Sequence, residues 1–330
     1  FLRGNNYSVS EDEWHVDGTA DLILLSTCGF TQAAEDYGFQ TLRRIQRDKK
    51  PAAQIVFGGC IPKINPQRVA AEFGGPTFSP QTYHHLNDLL QAERPLETFN
   101  RPNTFPARPN LITDIRKGVD LLKTFDGSWA GLSYISHHMS NGLRRRLIRN
   151  KYANLASHET FYIQIQEGCS MHCAYCAIRT AIGPQRSKPP AQILAELRDG
   201  LARGYRHFQL MGDNAGGYGH DLGTNLGRLL QNILDIDGAF ELDLTDINPV
   251  YLATIIQPVK ALCAQHKVSR LYVPIQSGSR RILKLMGRDC DLDAVRGMLV
   301  EVKQSAPPAF KLGTSLVVGF PSETQADLDS

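Results

Sequence analysis

Three closely spaced cysteines have the residue type and spacing to hold an iron–sulfur cluster. Cys169, Cys173 and Cys176 form a C-x₃-C-x₂-C run directly after an apolar segment. Three thiolates can ligate three irons of a [4Fe–4S] cube, which leaves the fourth iron open to another ligand. Such a cluster is suited to chemistry more than to electron storage. The alternative is a structural zinc knuckle or three buried thiols, although the run lacks the paired C-x₂-C or distal His pair of a zinc site.

Two further cysteines follow predicted strands in the first part of the chain. Cys28 ends the apolar run 21–26 and its turn, and Cys60 follows a second apolar run, 54–57, and two glycines. A helix is predicted between them over 32–46, ending before Pro51. This β-α-β order predicts a doubly wound parallel sheet, with both cysteines at the carboxyl ends of strands, where such sheets bind ligands. The alternative is that each cysteine is an inert buried thiol.

From residue 160 onwards apolar strands alternate with amphipathic helices. This alternation predicts a partial (β/α) barrel whose site lies at the C-terminal ends of the strands, and the cysteine run follows the first of them. The predicted strands are 161–166, 206–211, 241–247, 271–276 and 312–318, and the predicted helices are 190–202, 225–236, 279–286 and 291–305.

Composition bounds the class of protein. The 330 residues are 42% hydrophobic and 21% charged, which is typical of a globular protein, and this length favours two domains. Seven cysteines are too few for a disulfide scaffold. Cluster thiolates need a reducing compartment, so we expect a cytoplasmic protein. We also expect a monomer. No signal peptide and no apolar run near the length of a membrane span are found.

Residues 92–158 form a basic stretch between the two predicted domains. The net charge of the whole chain, +3, gives no argument for nucleic-acid binding, but residues Arg144 to Lys151 include five basic residues in eight positions. Such a strip could contact RNA phosphates. The alternative is a solvated linker, because no aromatic residue interleaves the basic cluster.

Several motifs in the same order resemble those of one family, the radical S-adenosylmethionine (SAM) methylthiotransferases. The aromatic Tyr175 before the last cysteine of the run also matches the wider superfamily. The matching segments are 20–28, 55–62, 212–219, Asn248-Pro249, 274–279, 282–286 and 318–324.

The resemblance implies the architecture of the chain. It implies a flavodoxin-like N-terminal domain over 1–91, a basic linker or insert over 92–158 and a radical SAM core over 159–330. It also implies a fragment that lacks the first N-terminal cysteine and a C-terminal RNA-binding β-domain, the alternative being a naturally shortened relative. Cys28 and Cys60 would then hold a second [4Fe–4S] cluster whose third ligand lies outside the chain.

The resemblance also implies cofactors and site residues. The cluster at Cys169, Cys173 and Cys176 would reduce SAM to methionine and a 5′-deoxyadenosyl radical, and the second cluster would supply sulfur. The positions that match the family's SAM contacts are Tyr175, Gly212, Asp213, Gln276, Ser277, Val318 and Gly319. Apart from Tyr175, the alternative for these is turn or barrel packing. Asp243 stands where the family usually has an arginine that meets the SAM carboxylate.

The expected substrate is a tRNA adenosine beside the anticodon, and the expected electron donor is a flavodoxin or ferredoxin. A ribosomal-protein substrate is an alternative, since residues 27–30 look like that branch. Two other classes stay open: a cobalamin-dependent radical SAM methyltransferase, although no Asp-x-His-x-x-Gly run is present, and a non-catalytic RNA-binding protein stapled by clusters.

Overall fold

The computed structural model describes residues 1–10, 18–99, 103 and 160–330. The strands are β1 (Leu22–Thr27), β2 (Gln54–Gly59), β3 (Thr160–Gln164), β4 (Gln166–Glu167), β5 (Arg186–Ser187), β6 (His207–Met211), β7 (Glu241–Leu244), β8 (Val268–Tyr272) and β9 (Lys311–Gly313). The α-helices are Gln32–Asp48, Ile61–Ile64, Pro66–Glu72, His85–Leu89, Ile178–Ala181, Pro190–Ala202, Leu226–Leu234, Leu252–Ala264, Arg280–Leu285, Leu292–Ser305 and Gln325–Leu328.

The first part of the chain folds as the predicted β-α-β unit. Strands β1 and β2 pair in parallel from Leu22 opposite Gln54 to Thr27 opposite Gly59. The intervening helix begins where the Thr31 side chain accepts a hydrogen bond from a first-turn backbone N–H. It buries an apolar face against β2, where the rings of Phe39 and Phe57 lie 5.5 Å apart. The two strand ends that carry Cys28 and Cys60 are therefore neighbours.

The second part contains a five-stranded parallel sheet in the order β3-β6-β7-β8-β9. Alternate residues such as Phe208 and Leu210 point toward the covering helices and form the largest core of the described residues. Their neighbours on β6, such as Gln209, point to the opposite, more polar face. The predicted α/β class, with a doubly wound first domain and a partial barrel after it, is confirmed.

Four predicted strands have wrong boundaries, among them 241–247, because β7 ends at Leu244. The segment 161–166 is not one strand, because β3 ends at Gln164 and Gln166–Glu167 pairs antiparallel with Arg186–Ser187. The fourth and fifth strands are β8 and β9, and both end earlier than the predicted 271–276 and 312–318. After Tyr272 the pairing is irregular: the Val273 N–H donates to the Gly313 carbonyl at 2.9 Å, and an isolated bridge joins Gln276 to Leu316. A φ of 82° at Gln276 is incompatible with a regular strand.

The helix Leu252–Ala264 was not predicted. Pro258 lies inside it, and an internal proline removes one backbone hydrogen bond from a helix. Its apolar face nevertheless packs into the barrel core between Leu226–Leu234 and Leu292–Ser305. Burial of residues such as Ile255 and Leu262 outweighs the local cost, so tertiary packing decides this element.

Two predictions concern residues that the structure does not describe: the basic strip and the linker or insert that contains it. The basic strip from Arg144 to Lys151 lies outside the described residues, as does all of the segment 92–158 except 92–99 and residue 103. Over the described part of the chain, none of the helices has the length and apolarity needed to cross a membrane.

Candidate functional site

Cys169, Cys173 and Cys176, hereafter the triplet, lie on one loop between β4 and the short helix Ile178–Ala181. Cys169 is buried, and the other two are half-buried. A tight turn closes the loop, because the Cys176 N–H donates to the Cys173 carbonyl at 3.0 Å. The Met171 N–H donates to the Cys169 sulfur at 3.3 Å. The loop thus holds all three thiols in one neighbourhood at the carboxyl end of the barrel's first strand.

Glycine is required at the entry to this loop. Gly168 has a φ of +73°, and a Cβ there would overlap the backbone carbonyl of Pro184. The next residue, Cys169, donates its N–H to the Gly183 carbonyl at 3.2 Å. The returning segment therefore packs directly on the backbone that precedes the first cysteine, and any side chain at Gly168 would separate them.

The turn after β6 is joined to the same point. The Gly168 N–H donates to Oδ2 of Asp213 at 2.7 Å, and the Asn214 N–H donates to Oε1 of Gln166 at 3.2 Å. The Gln166 amide also donates to the Gly168 carbonyl. A Cβ at Gly212 would overlap the Gln166 side chain, so this glycine permits the close approach. Gly212 and Asp213 thus lie beside the triplet.

The end of the helix Arg280–Leu285 covers the other side of the loop. The Ala174 N–H donates to the Met286 carbonyl at 2.9 Å. Tyr175 packs against the small apolar cluster of Ile282, Leu283 and Met286. Burial raises the pKa of the Tyr175 hydroxyl to about 12, so this hydroxyl stays protonated at neutral pH. Tyr175 is therefore a packing residue in this structure as well as a sequence match.

The surroundings of the triplet fit an electron-rich, sulfur-containing group. Burial raises the pKa of the Cys169 and Cys176 thiols, and the neighbouring thiols add to the rise. Two donor atoms beside the loop, Nε of Arg288 and Nδ2 of Asn214, are buried and have no hydrogen-bond partner among the described residues. Such orphan donors are unfavourable unless an acceptor occupies the space they face.

Within the described ranges no three His, Cys, Asp or Glu side chains converge as ligands of a single metal ion. A zinc knuckle would require that convergence, because one ion binds all of its ligands. A [4Fe–4S] cube instead distributes its cysteines over separate irons. The C-x₃-C-x₂-C spacing, without a paired C-x₂-C or a distal His pair, favours the cluster over the zinc alternative.

Cys28 and Cys60, hereafter the pair, lie one residue beyond the last register pair of β1 and β2. The Cys60 N–H donates to the Thr27 carbonyl at 2.9 Å. Gly59 has a φ of +94°, and a Cβ there would overlap the Thr27 backbone. Burial raises the pKa of the Cys60 thiol, with further contributions from Cys28 and Asp213. Cys28 is exposed, so the pair forms a more open site than the triplet.

The triplet and the pair face one region between the two domains. The helix Ile61–Ile64, which follows Cys60, contacts the helix Ile178–Ala181, which follows the triplet. The Gln81 amide donates to the Thr180 carbonyl at 2.7 Å across the same boundary. Asp213 lies close enough to raise the pKa of both Cys60 and Cys169. One carboxylate therefore lies within electrostatic reach of both cysteine groups.

The other predicted SAM-site residues lie on the segments after β8 and β9. The Gln276 N–H donates to the Ser315 carbonyl, and the Val317 N–H donates to the Gln276 carbonyl, both at 2.9 Å. Ser277 is buried and accepts a hydrogen bond from Ser279. These contacts connect the two segments.

Val318 is exposed, and Gly319 has a φ of +83°. Val317 and Phe320, on either side of them, pack on the apolar cluster that Tyr175 also contacts. Gln276, Ser277, Val318 and Gly319 therefore lie along the same part of the barrel rim as Tyr175.

Asp243 is buried on β7 and is bound by neighbouring strands. The Ser269 hydroxyl donates to it at 2.7 Å, and His207 Nε2 lies 3.5 Å away. Burial alone would raise the pKa of this carboxyl, but the bonds from His207 and Ser269 lower it overall. The hydrogen bond with Asp243 in turn raises the pKa of His207. The residue that replaces the family's arginine is therefore a structural carboxylate here.

Sequence reasoning missed Gln166, Asn214 and Arg288 as residues of the site. Gln166 and Asn214 lie beside sequence motifs, so their proximity to the loop could have drawn attention. Arg288 is 115 residues from Cys173, and nothing in the sequence pattern points to their contact.

Family models match both parts of the chain. The radical SAM superfamily model matches residues 163–330, just over half of the chain, and an uncharacterized protein family, UPF0004, matches residues 1–77.

Two relatives are named tRNA-2-methylthio-N(6)-dimethylallyladenosine synthase. That of Halorhodospira halophila is 28% identical over 94% of this chain and 59% of its own length. That of Paracoccus denitrificans is 28% identical over 99% of this chain and 65% of its own length. The chain thus spans about six-tenths of the length of these relatives.

Solved structures with a similar fold include two cobalamin-dependent or methyl-transferring radical enzymes. OxsB, with aqua-cobalamin and SAM bound, has a TM-score of 0.53 and 14% identity over 94% of this chain and 42% of its own. TsrM from Kitasatospora setae, with cobalamin and a [4Fe–4S] cluster bound, has a TM-score of 0.55 and 13% identity over 93% of this chain and 60% of its own. At this identity the likeness shows the fold alone. The superfamily model matches the chain from within β3 onwards, and the two relatives align along nearly the whole chain. The protein therefore belongs to the radical SAM superfamily and resembles its methylthiotransferases, as its motifs predict.

Proposed function

We propose that this chain is the N-terminal and radical SAM part of an enzyme that inserts a methylthio group into a C–H bond of a tRNA adenosine beside the anticodon. One observation carries the proposal. The triplet and the pair, from two different domains, face one interdomain region in which Asp213 acts on both. Methylthio transfer needs a means of activating a carbon and a source of sulfur at the same carbon, so the two groups must open on a common space.

The triplet would hold a [4Fe–4S] cluster with one open iron, and the pair would contribute two ligands to a second cluster. When bound, these clusters and SAM supply hydrogen abstraction from an unactivated carbon and the transferred sulfur. The chain's own residues position and shield that chemistry. Gly168 and Gly183 let the loop close, and Asp213 ties the loop to the turn after β6.

The proposed SAM contacts surround the triplet on two sides. The turn at Gly212 and Asp213 lies at the entry to the loop, and Gln276 and Ser277 lie on the rim beyond β8. Val318 and Gly319 complete that rim next to the apolar cluster that packs Tyr175. Backbone donors and acceptors at these turns can orient a zwitterionic ligand without a charged anchor at Asp243.

The proposed substrate, partners and location follow from the relatives. Two of them are named as tRNA-2-methylthio-N(6)-dimethylallyladenosine synthases, which supports a tRNA substrate over a ribosomal protein. Cluster thiolates and the low-potential reduction they require support a reducing compartment such as the cytoplasm, with a flavodoxin or ferredoxin as electron donor. The cobalamin alternative rests on fold likeness alone.

The test is an anaerobic assay of the iron-loaded full-length protein with SAM, reductant and tRNA that carries N(6)-dimethylallyladenosine. The wild type is expected to form 5′-deoxyadenosine and a methylthio-modified nucleoside, both measured by mass spectrometry. The variant Cys28→Ala/Cys60→Ala is expected to form 5′-deoxyadenosine without the methylthio product. The matched control Cys263→Ala removes a buried core thiol far from the site and is expected to form both.

Two outcomes would overturn the proposal in different ways. If iron-loaded protein forms no 5′-deoxyadenosine, the radical SAM activity is refuted. If 5′-deoxyadenosine forms and a ribosomal protein is modified while tRNA is not, the substrate is reassigned to the ribosomal-protein alternative.

A further inference from the structure

Two buried donor side chains flank the triplet from opposite sides and are not explained by the protein's own contacts. Arg288 is 8% exposed and Asn214 is 5% exposed. Each has one buried donor nitrogen without a hydrogen-bond partner among the described residues. An unsatisfied buried donor costs roughly 1–3 kcal/mol, so two of them at one loop indicate an acceptor that belongs there.

Arg288 is held against the middle cysteine. Its Nη1 lies 3.6 Å from the Cys173 sulfur, and its Nη2 donates to the Pro274 carbonyl at 2.6 Å. It follows Gly287, whose φ is +67° and where a Cβ would lie 3.0 Å from the His172 carbonyl. The helix end therefore lies close against the loop, and the guanidinium is held there by its contacts with Cys173 and Pro274.

No carboxylate in the described part of the chain pairs with the Arg288 guanidinium. The guanidinium contacts the Cys173 sulfur and the Pro274 carbonyl instead. A buried cation without a counter-charge is strongly unfavourable. A thiolate-ligated [4Fe–4S] cluster is net negative and becomes more negative on reduction, so it would supply the missing counter-charge.

Asn214 approaches from the turn after β6. Its side chain lies beside the Cys169 thiol and the Tyr251 hydroxyl. A Cβ at Gly217 would lie 2.9 Å from Nδ2, so the glycine leaves the room that the amide occupies. Its backbone N–H is already bound by Gln166. The amide nitrogen therefore faces the first cysteine in a fixed position.

We propose that Arg288 and Asn214 are positioning residues that direct N–H donors at the sulfur atoms of the cluster bound by the triplet and thereby raise its reduction potential. The proposal rests on the proposed function only in placing a [4Fe–4S] cluster at the triplet. Hydrogen bonds and positive charge near the sulfurs stabilise the reduced, more negative cluster, and they are established determinants of such potentials. Arg288 contributes charge and donor, and Asn214 contributes a neutral donor, so the larger effect belongs to Arg288.

The test is a redox titration of the single cluster followed by electron paramagnetic resonance. All proteins carry Cys28→Ala/Cys60→Ala, so that only the triplet contributes, and iron and sulfide are measured first. Arg288→Gln is expected to reduce the ratio of reduced to oxidised cluster at a fixed potential by at least tenfold, which equals a midpoint about 59 mV more negative. Arg288→Lys, which keeps the charge, and Asn214→Leu are expected to shift the midpoint in the same direction by less. The exposed Arg296→Gln is the matched control and is expected to leave it unchanged.

The outcomes separate this inference from the proposed function. Absence of a [4Fe–4S] cluster in the parent protein would refute the proposed function. A full cluster whose midpoint is the same in Arg288→Gln and in the parent would overturn the role of Arg288. If Arg288→Gln does not retain the cluster, Arg288→Lys and Asn214→Leu decide, and unchanged midpoints in both overturn the inference.

Discussion

The triplet and the pair lie close together, but the chain holds them in different ways. The triplet comes from eight consecutive residues, and its loop is closed by the Gly183 carbonyl and by the Asp213 carboxylate from the turn after β6. The pair comes from residues that are 32 positions apart, and it exists only because β1 and β2 align in register. The first site therefore depends on loop closure, and the second depends on sheet pairing.

Burial and charge also differ between the two sites. Around the triplet, buried donors from Arg288 and Asn214 face the sulfurs. Around the pair, Cys28 is exposed, and the charge that acts on Cys60 is the carboxylate of Asp213. Positive charge and donors favour reduction, whereas exposure and a nearby carboxylate provide no such support. We infer that the two sites are suited to different tasks, electron acceptance at the triplet and sulfur supply at the pair.

The largest expected effect comes from removing the triplet. Replacing Cys169, Cys173 and Cys176 with alanine should abolish formation of 5′-deoxyadenosine, because the cluster proposed to reduce SAM is the one held by the triplet. Iron content should fall by about half if the pair retains its own cluster. Anaerobic iron analysis and product assay measure both, with Cys263→Ala as control. Continued 5′-deoxyadenosine formation by the triple variant would show that the wrong cysteines were assigned.

Two matched glycine variants should separate the two sites without removing any cysteine. Gly168→Ala would push the loop away from Pro184 and should release the triplet's cluster, leaving that of the pair. Gly59→Ala would clash with the Thr27 backbone and should do the opposite. Cluster type is read from iron content and from the SAM-cleavage assay, which only the triplet supports.

The control for the two glycine variants is Gly204→Ala. Its φ is +92°, but a Cβ there meets nothing within 4 Å, so it carries only the backbone strain of about 1–2 kcal/mol. It should keep both clusters. If both site variants lost both clusters to the same extent, the distinction between loop closure and sheet pairing would be untenable.

The difference between the sites also explains how far the sequence could predict them. The triplet is contiguous, so its spacing alone predicts a cluster loop. The pair was predicted because apolar runs and a helix between them imply parallel strands that end together. The partial barrel was visible for the same reason, since Phe208 and Leu210 alternate with polar residues on β6.

What could not be predicted depends on contacts between distant residues. Arg288 reaches Cys173 only after the helix Arg280–Leu285 packs on the loop, and no periodic pattern encodes that contact. The early ends of β8 and β9 reflect the irregular backbone at Gln276, which apolar content conceals. The helix Leu252–Ala264 was missed because its burial outweighs an internal proline.

A smaller effect is expected at Asp213, which should act on both sites at once. Asp213→Asn keeps an oxygen that can accept the Gly168 N–H but removes a negative charge near Cys60 and Cys169. Adding an electron to either cluster then becomes easier. Both midpoint potentials should become more positive. At a fixed potential, the ratio of reduced to oxidised cluster should rise about threefold.

This experiment titrates each cluster separately, in proteins that lack either the triplet or the pair. The exposed Asp235→Asn removes one carboxylate elsewhere and should leave both midpoints unchanged. A shift at the triplet alone would mean that the pair does not share this electrostatic environment, and the interdomain argument for the proposed function would lose its basis.

The smallest expected effect concerns the barrel that supports the triplet, in which the buried Asp243 and the half-buried His207 interact. The pKa of His207 is raised above its ordinary 6.5, chiefly by the hydrogen bond to Asp243, so its stabilising contribution is present below 6.5 and is lost as the pH rises through the raised value. The pKa of Asp243 is lowered below 3.8, because the bonds from His207 and Ser269 outweigh burial, so its contribution is present above 3.8 and is lost only as the pH falls through the lowered value. The interaction between Asp243 and His207 therefore stabilises the fold most between the two ordinary pKa values, 3.8 and 6.5.

Asp243→Asn should accordingly lower the free energy of unfolding by about 1–2 kcal/mol at about pH 5.5 and by less at about pH 8.5. Urea unfolding of the metal-free protein at the two pH values measures the difference. Glu241→Gln is the matched control, since Glu241 lies 3.7 Å from the other nitrogen of His207 but is 56% exposed, and it should have little effect at either pH. An equal loss from Asp243→Asn at both pH values would mean that His207 is not charged in the folded barrel. The carboxylate would then be held by the Ser269 hydroxyl and by Arg270, whose Nε lies 3.8 Å from its Oδ2.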